Sequence, residues 1–157
     1  MNTDVASNSP ESLLQAFAAT EYRVLVSERA IVVRPGLRHP DLDDALDGRP
    51  WAILTAFNPR AVQVGAAENR TRHRRLLDTV GNAGLETHAA VNHDPGGEWP
   101  DEKALLLVDI EAPSLDALAE SFEQAAVVTG RPGRRARLRL YGEGWPTALP
   151  EWAGRCS

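Results

Sequence analysis

Trp51–Phe57 reads Trp-Ala-Ile-Leu-Thr-Ala-Phe, an apolar run interrupted only by Thr55. It lacks the alternation of a half-exposed strand, so it suits a central strand buried on both faces. Such a strand obliges the rest of the chain to supply cover above and below it. Pro59 forbids its continuation, since proline has no N–H to donate and pushes Asn58 toward extended geometry. Ala104–Ile110 is a second run of the same kind.

The segments around these runs have their own periods. Ser12–Thr20 carries Leu13, Leu14 and Phe17 at helical spacing, with Ser12 as the expected N-cap. Tyr22–Val26 and Ala30–Arg34 are β-branched runs separated by Ser27-Glu28-Arg29, the pattern of a hairpin. Pro35–Pro50 reads as a loop with one helical turn over Asp41–Leu46. A helix is expected from about Ala66 to Ala83, with Gly84 at C′. Thr87–Val91 is a brief strand and Asn92–Asp101 a turn-rich loop. Pro113 at N1 opens a further helix, whose stripe is Leu115, Leu118, Ala119, Phe122 and Ala126. Ala125–Thr129 and Ala136–Tyr141 are strands joined by the Gly130–Gly133 turn.

From Trp51 the order is therefore β-α-β-β-α-β. The expected fold is α+β: a mainly antiparallel sheet with two helices on one face. Its ferredoxin-like centre would be extended by an N-terminal hairpin and a C-terminal strand. Residues 1–10 are expected to be a disordered lead-in, 11–142 one domain, and 143–157 an irregular tail packed through Trp145 and Trp152. A length of 157 residues suits that plan.

Charge and composition narrow the function classes. Seventeen basic against twenty-two acidic residues leave a net charge of −5, which disfavours bulk nucleic-acid or anionic-membrane binding. Sixteen of the basic residues are arginine, as a GC-rich genome would produce. Arg70, Arg72, Arg74 and Arg75, and the alternating Arg135, Arg137 and Arg139, read as solvated faces. Cys156 is the only cysteine, so no intramolecular disulfide forms. Met1–Pro10 has neither the basic nor the apolar part of a signal peptide, and no apolar run approaches ~20 residues. A cytoplasmic protein is expected.

If Trp51–Phe57 runs upward, a right-handed crossover sets Thr87–Val91 parallel to it with another strand between them. One edge of the sheet then gathers Asn58–Gly65, the start of the Ala66 helix, the Asn92–Lys103 loop and Glu123-Gln124. Asn69 and His73 share the inward stripe of Leu76, Leu77 and Val80. If buried they need partners, so they either satisfy the loop backbone or line a pocket. Arg60 and the helix N-terminus suit an anion, although Glu68 can occupy that end, as part of a capping-box-like start or paired with Arg72. Glu98, Asp101, Glu102 and Lys103 place carboxylates beside the only lysine, and Trp99 must pack on something within that loop.

His88, His93, Asp94 and Glu98 match no strong zinc signature, and no metal site is expected. No Walker loop, GxSxG elbow, HExxH, paired CxxC or dinucleotide fingerprint is present, and no cofactor is expected.

Thr55-Ala56-Phe57-Asn58-Pro59-Arg60, Glu68-Asn69-Arg70, the Trp99/Glu102 loop and Phe122-Glu123-Gln124 together resemble a bacterial family catalogued as domain of unknown function 3293. The resemblance runs from about Tyr22 to Tyr141. Phe57 stands where that family often has Trp, and Lys103 where a small polar residue is expected. The resemblance implies a single domain and no particular activity.

The function expected is binding of a small anionic ligand at a polar site formed by the 58–73 and 92–103 segments. Asn58, Arg60, Asn69, His73, Trp99 and Gln124 are the candidate ligand-binding residues, and Glu102 is the candidate acid or base. The alternative is a non-catalytic domain that binds another protein. Nucleic-acid binding is a weaker third.

Overall fold

The structure is a computed structural model and describes residues 9–156. Most of the expected lead-in lies outside the described residues. Eight strands form one sheet: β1 (Glu21–Val26), β2 (Arg29–Val33), β3 (Trp51–Thr55), β4 (Glu86–His93), β5 (Glu102–Val108), β6 (Ala126–Gly130), β7 (Arg137–Leu140) and β8 (Ala153–Arg155). Four α-helices accompany them: α1 (Pro10–Ala19), α2 (Pro40–Ala45), α3 (Ala66–Asn82) and α4 (Ala112–Ser121). The fold is α+β.

The strand order is β2-β1-β4-β5-β3-β6-β7-β8. Every pairing is antiparallel except β7 with β8. β5 lies between β3 and β4, as the crossover argument requires. All five residues of β3 are buried. Trp51 and Ile53 enter one apolar cluster with Leu14 of α1 and Leu42 and Leu46 around α2. Ala52 and Leu54 enter another with Leu76 and Val80 of α3 and Leu115 and Ala119 of α4. The strand is thus covered on both faces, which accounts for its unbroken hydrophobicity. α3 and α4 share one face, as expected; α1, α2 and the C-terminal tail close the other.

Several boundaries differ from expectation for local reasons. Ser9, not Ser12, caps α1: its Oγ accepts from Ser12 N at 3.1 Å, and Pro10 pre-sets the first turn. α4 begins one residue before Pro113 with Glu111 as its cap, and it ends at Ser121. Ala126 of the expected stripe therefore belongs to β6. The tail is not wholly irregular, because β8 pairs parallel to β7. Trp145 and Trp152 do pack on the core.

Arg139 does not belong to a solvated cationic face. Its Nε and Nη2 donate to the two oxygens of Asp116 at 2.7 Å each, and Tyr141 Oη donates to the same carboxylate at 2.7 Å. No helix among the described residues is long and apolar enough to cross a membrane.

Candidate functional site

The end of β3 is built from hydrogen bonds made by its polar residues. Thr55 Oγ1 donates to Lys103 O at 2.6 Å and accepts from Phe57 N at 3.0 Å, turning the chain out of the sheet. Asn58 then adopts the left-handed region, at φ 51°, instead of the extended geometry that Pro59 favours. Asparagine visits that region more readily than other non-glycine residues, and four bonds hold it there. Its N–H donates to Asn69 Oδ1 at 2.9 Å, while Asn69 Nδ2 donates back to Asn58 Oδ1 at 3.0 Å. Val64 N donates to Asn58 Oδ1 at 3.1 Å, and Asn58 Nδ2 donates to Glu102 Oε2 at 2.6 Å. Both asparagines are buried. Of the two alternatives open for Asn69, the structure realises backbone satisfaction.

Two more side chains clamp the neighbouring turn. Arg72, on α3, donates through Nε to Ala56 O at 2.7 Å and through Nη2 to Phe122 O at 2.6 Å. Gln124 Nε2 donates to Phe57 O at 3.0 Å and to Phe122 O at 3.1 Å. Arg72 therefore is not a surface partner of Glu68. Its acceptors are carbonyls from two distant loops, and no spacing pattern announces such a role.

Behind this turn is a pocket of about 90 Å³. Leu13, Ala16 and Phe17 of α1 roof it, and Ile53, Val128 and Leu138 form its apolar base. Its polar wall comprises Thr55, Asn58, Asn92, Glu102 and Gln124, with Asp94 and Trp99 contributed by the β4–β5 loop. Among the described residues no basic side chain lines it. Burial pushes the Glu102 carboxyl above its ordinary range, against the hydrogen bonds from Asn58 and Asn92 that favour ionisation. The Asn92 contact is long, 3.5 Å, and Asn92 Oδ1 is buried without a hydrogen-bond partner. Burial likewise raises the Tyr22 phenol, with the Glu102 charge adding to it; Tyr22 Oη donates to Phe17 O at 2.8 Å and so ties β1 to the roof.

The loop bearing Trp99 is organised by Asp94. Its carboxylate accepts from the backbone N–H groups of Gly96, Glu98 and Trp99 at 2.9, 2.9 and 3.0 Å. Asp94 is committed to this turn and His93 to Asp101, at 2.7 Å. His88 contacts Glu86 at 3.0 Å. Among the described residues no group of three or more His, Cys, Asp and Glu side chains is placed to hold a metal ion.

Of the expected site residues, Asn58, Trp99, Gln124 and Glu102 meet at one pocket. Asn69 stands behind it as the partner of Asn58. His73 does not line it: the ring meets Phe57 edge-on, centroids 6.2 Å apart, and desolvation lowers its pKa while Nδ1 stays unpartnered. Arg60 is outside as well, with an 80% exposed side chain 3.2 Å from Glu123 Oε2. Sequence reasoning placed Asn92 in the site segment without singling it out, and missed Tyr22 and the α1 roof. Only the β1–β4 pairing, in which Tyr22 stands opposite Asn92, brings the first two together.

No curated protein and no solved structure matches the chain. Residues 54–127, somewhat under half of its length, match the model of a family described as a protein of unknown function (DUF3293), and that segment belongs to the family the sequence resembles.

Proposed function

We propose that the Glu102 pocket binds a small molecule with an apolar body and a head group that donates hydrogen bonds, such as an amine, amidine or hydroxyl. The observation that carries this reading is the pairing of the Glu102 carboxylate with the unpartnered Asn92 Oδ1 in a pocket lined, among the described residues, by no base. A buried carboxylate and an amide oxygen left without a partner, both on residues that line the chamber, suit a donor, and a cationic head would offset the burial of the carboxylate. The anion expected from Arg60 and the α3 N-terminus draws no support, because Arg60 lies outside the pocket beside Glu123. A chamber of about 90 Å³ is smaller than the roughly 150 Å³ cavity that holds benzene, so it takes a compact group. The raised Glu102 carboxyl suits proton exchange with that head group. The order β4-β5-β3-β6 supports a ferredoxin-like centre for the scaffold, and a cytoplasmic single domain is part of the same proposal.

A thermal-shift panel of small amines, guanidines, alcohols, carboxylates and phosphates tests the reading. A ligand at a hundredfold its Kd stabilises the native state by ~2.7 kcal/mol, roughly 5–10 °C at this size. A donor-headed compound should give such a shift, and Glu102→Gln should abolish it. Shifts from anions alone, or a shift that survives Glu102→Gln, would sink the proposal. The protein-binding alternative is favoured by Leu25 and Val32, which are 51% and 44% exposed on neighbouring strands. Concentration-dependent self-association that Leu25→Ser removes, with a silent ligand panel, would move the assignment to it.

A further inference from the structure

At the opposite end of β3 from Asn58, the β6–β7 hairpin and the loop before α2 enclose a second cleft, of about 960 Å³. It shares no lining residue with the Glu102 pocket. The backbone assembles it. Gly36 N donates to Ala136 O at 2.7 Å, and Ala136 N donates to Leu37 O at 2.8 Å, which stitches the Gly36–Arg38 loop onto the hairpin. Gly130 lets the Trp51 ring lie flat against the end of β6, since a Cβ there would sit 2.1 Å from the indole.

Arg38 thereby joins Arg131, Arg134, Arg135, Arg137 and Arg139 around one cleft, with Glu151 the only acidic residue in its lining among the described residues. Arg139 is held by Asp116. Among the described residues, none of the other five has an ion pair or side-chain hydrogen bond, although acids are plentiful elsewhere and hold Arg23, Arg34 and Arg49. Trp51, buried at the cleft, also leaves its indole N–H without an acceptor.

Five guanidiniums without an ion pair line one concavity beside two carboxylates, Glu151 in the lining and Asp43, which accepts from Gly133 N on the hairpin turn. The excess of arginine focuses a positive potential in a chain whose net charge is −5. Each guanidinium offers a planar fork matched to phosphate oxygens. We propose that this cleft binds a ligand carrying several phosphates, held along the Arg131–Arg137 row and by Arg38, with the Trp152 indole as an apolar wall. The shared chemistry is a chain of phosphates, whether of a free nucleoside polyphosphate or of a nucleic-acid backbone. Volume and charge both distinguish this cleft from the acceptor-lined pocket at the other end, so the two ligands differ in class.

The test uses the full chain and fluorescence anisotropy at low salt, with a labelled nucleoside triphosphate in one arm and a short labelled single-stranded oligonucleotide in the other. Tripolyphosphate is the competitor. Binding should weaken about tenfold or more in the double variant Arg134→Ala/Arg137→Ala. It should hold in Arg74→Ala/Arg75→Ala, whose arginines stand on the exposed side of α3. In the oligonucleotide arm each phosphate contact removed should flatten the log–log salt slope by roughly 0.7. Whichever arm binds identifies the source of the phosphates. Binding in neither arm, equal affinity in the cleft variant, or an equal loss in the α3 variant overturns the proposal. If the cleft variant fails to fold, the wild-type chain decides. Tripolyphosphate should shield Arg131–Arg137 from phenylglyoxal in a mass-spectrometric footprint, and unshielded modification overturns the assignment.

Discussion

The Asn58 side-chain amide donates to the Glu102 carboxylate at 2.6 Å, joining the end of β3 to the start of β5 across forty-four residues of chain. The same side chain accepts from Asn69 and from Val64 N. Replacing Asn58 by Ala strips three neighbours of a partner at once. The expected cost is about 2–4 kcal/mol, given ~1–3 for each buried polar group left unmade and partial rescue by water. Urea unfolding measures it. A loss below about 1 kcal/mol would show that these bonds position the turn without stabilising it.

Two arginines near that turn should behave oppositely. Arg72 is 12% exposed on its side chain and bridges Ala56 O to Phe122 O. Lysine has one ammonium in place of the fork, so Arg72→Lys should lose roughly 1–3 kcal/mol. Arg60, 80% exposed beside Glu123, should tolerate Ala within about 0.5 kcal/mol. Denaturation midpoints of the two variants make the comparison, and equal losses would contradict it.

The difference between these arginines marks how far the sequence could be read. Trp51–Thr55 declared itself because burial on both faces removes alternation, and Gly84 marked the end of α3 because its φ of +70° suits glycine. The meeting of Asn58 with Glu102 followed from topology alone. Arg72 was illegible, since its acceptors are backbone carbonyls brought near only by packing. So was β8: Ala153-Gly154-Arg155 has no periodicity, and its place beside β7 depends on Trp152 O accepting from Leu138 N at 2.7 Å. The arginine cleft needs Arg38 stitched to a hairpin about a hundred residues away, a contact that no local pattern encodes.

Glu102 makes stability depend on pH in a specific direction. Its folded pKa lies above the ordinary 4.5, so the folded state binds its proton more tightly than the unfolded chain does. The Glu102 contribution therefore falls as pH rises from 4.5 through the folded pKa, and it stays low above that. Glu102→Gln lacks this dependence. The melting temperature of Glu102→Gln should match the wild type in acid and pull ahead of it as pH rises toward neutrality. Paired melts across that range read the difference directly, and a gap that is constant with pH would contradict a raised Glu102.

Asp94 is expected to govern the Trp99 loop rather than global stability. Removing its carboxylate in Asp94→Ala frees the Gly96 and Glu98 N–H groups, which are exposed and can be taken up by water, and the part-buried Trp99 N–H. Limited proteolysis should then cut between residues 95 and 100 several-fold faster, with the melting temperature nearly unchanged. Unaltered cleavage would mean that Trp99 packing, and not Asp94, secures the loop.

The roof of the Glu102 pocket comes from α1, and part of its base comes from Leu138 of β7. Both lie outside residues 54–127, whereas Asn58, Asn69, Arg72, Glu102 and Gln124 lie within them. A relative sharing only that segment would inherit the asparagine turn and the Glu102 wall without the ceiling, and none of the hairpin arginines. On the proposed function, exchanging the helix over an unchanged turn would give a natural route to new ligand shapes, with the acceptor wall retained and the apolar ceiling rewritten.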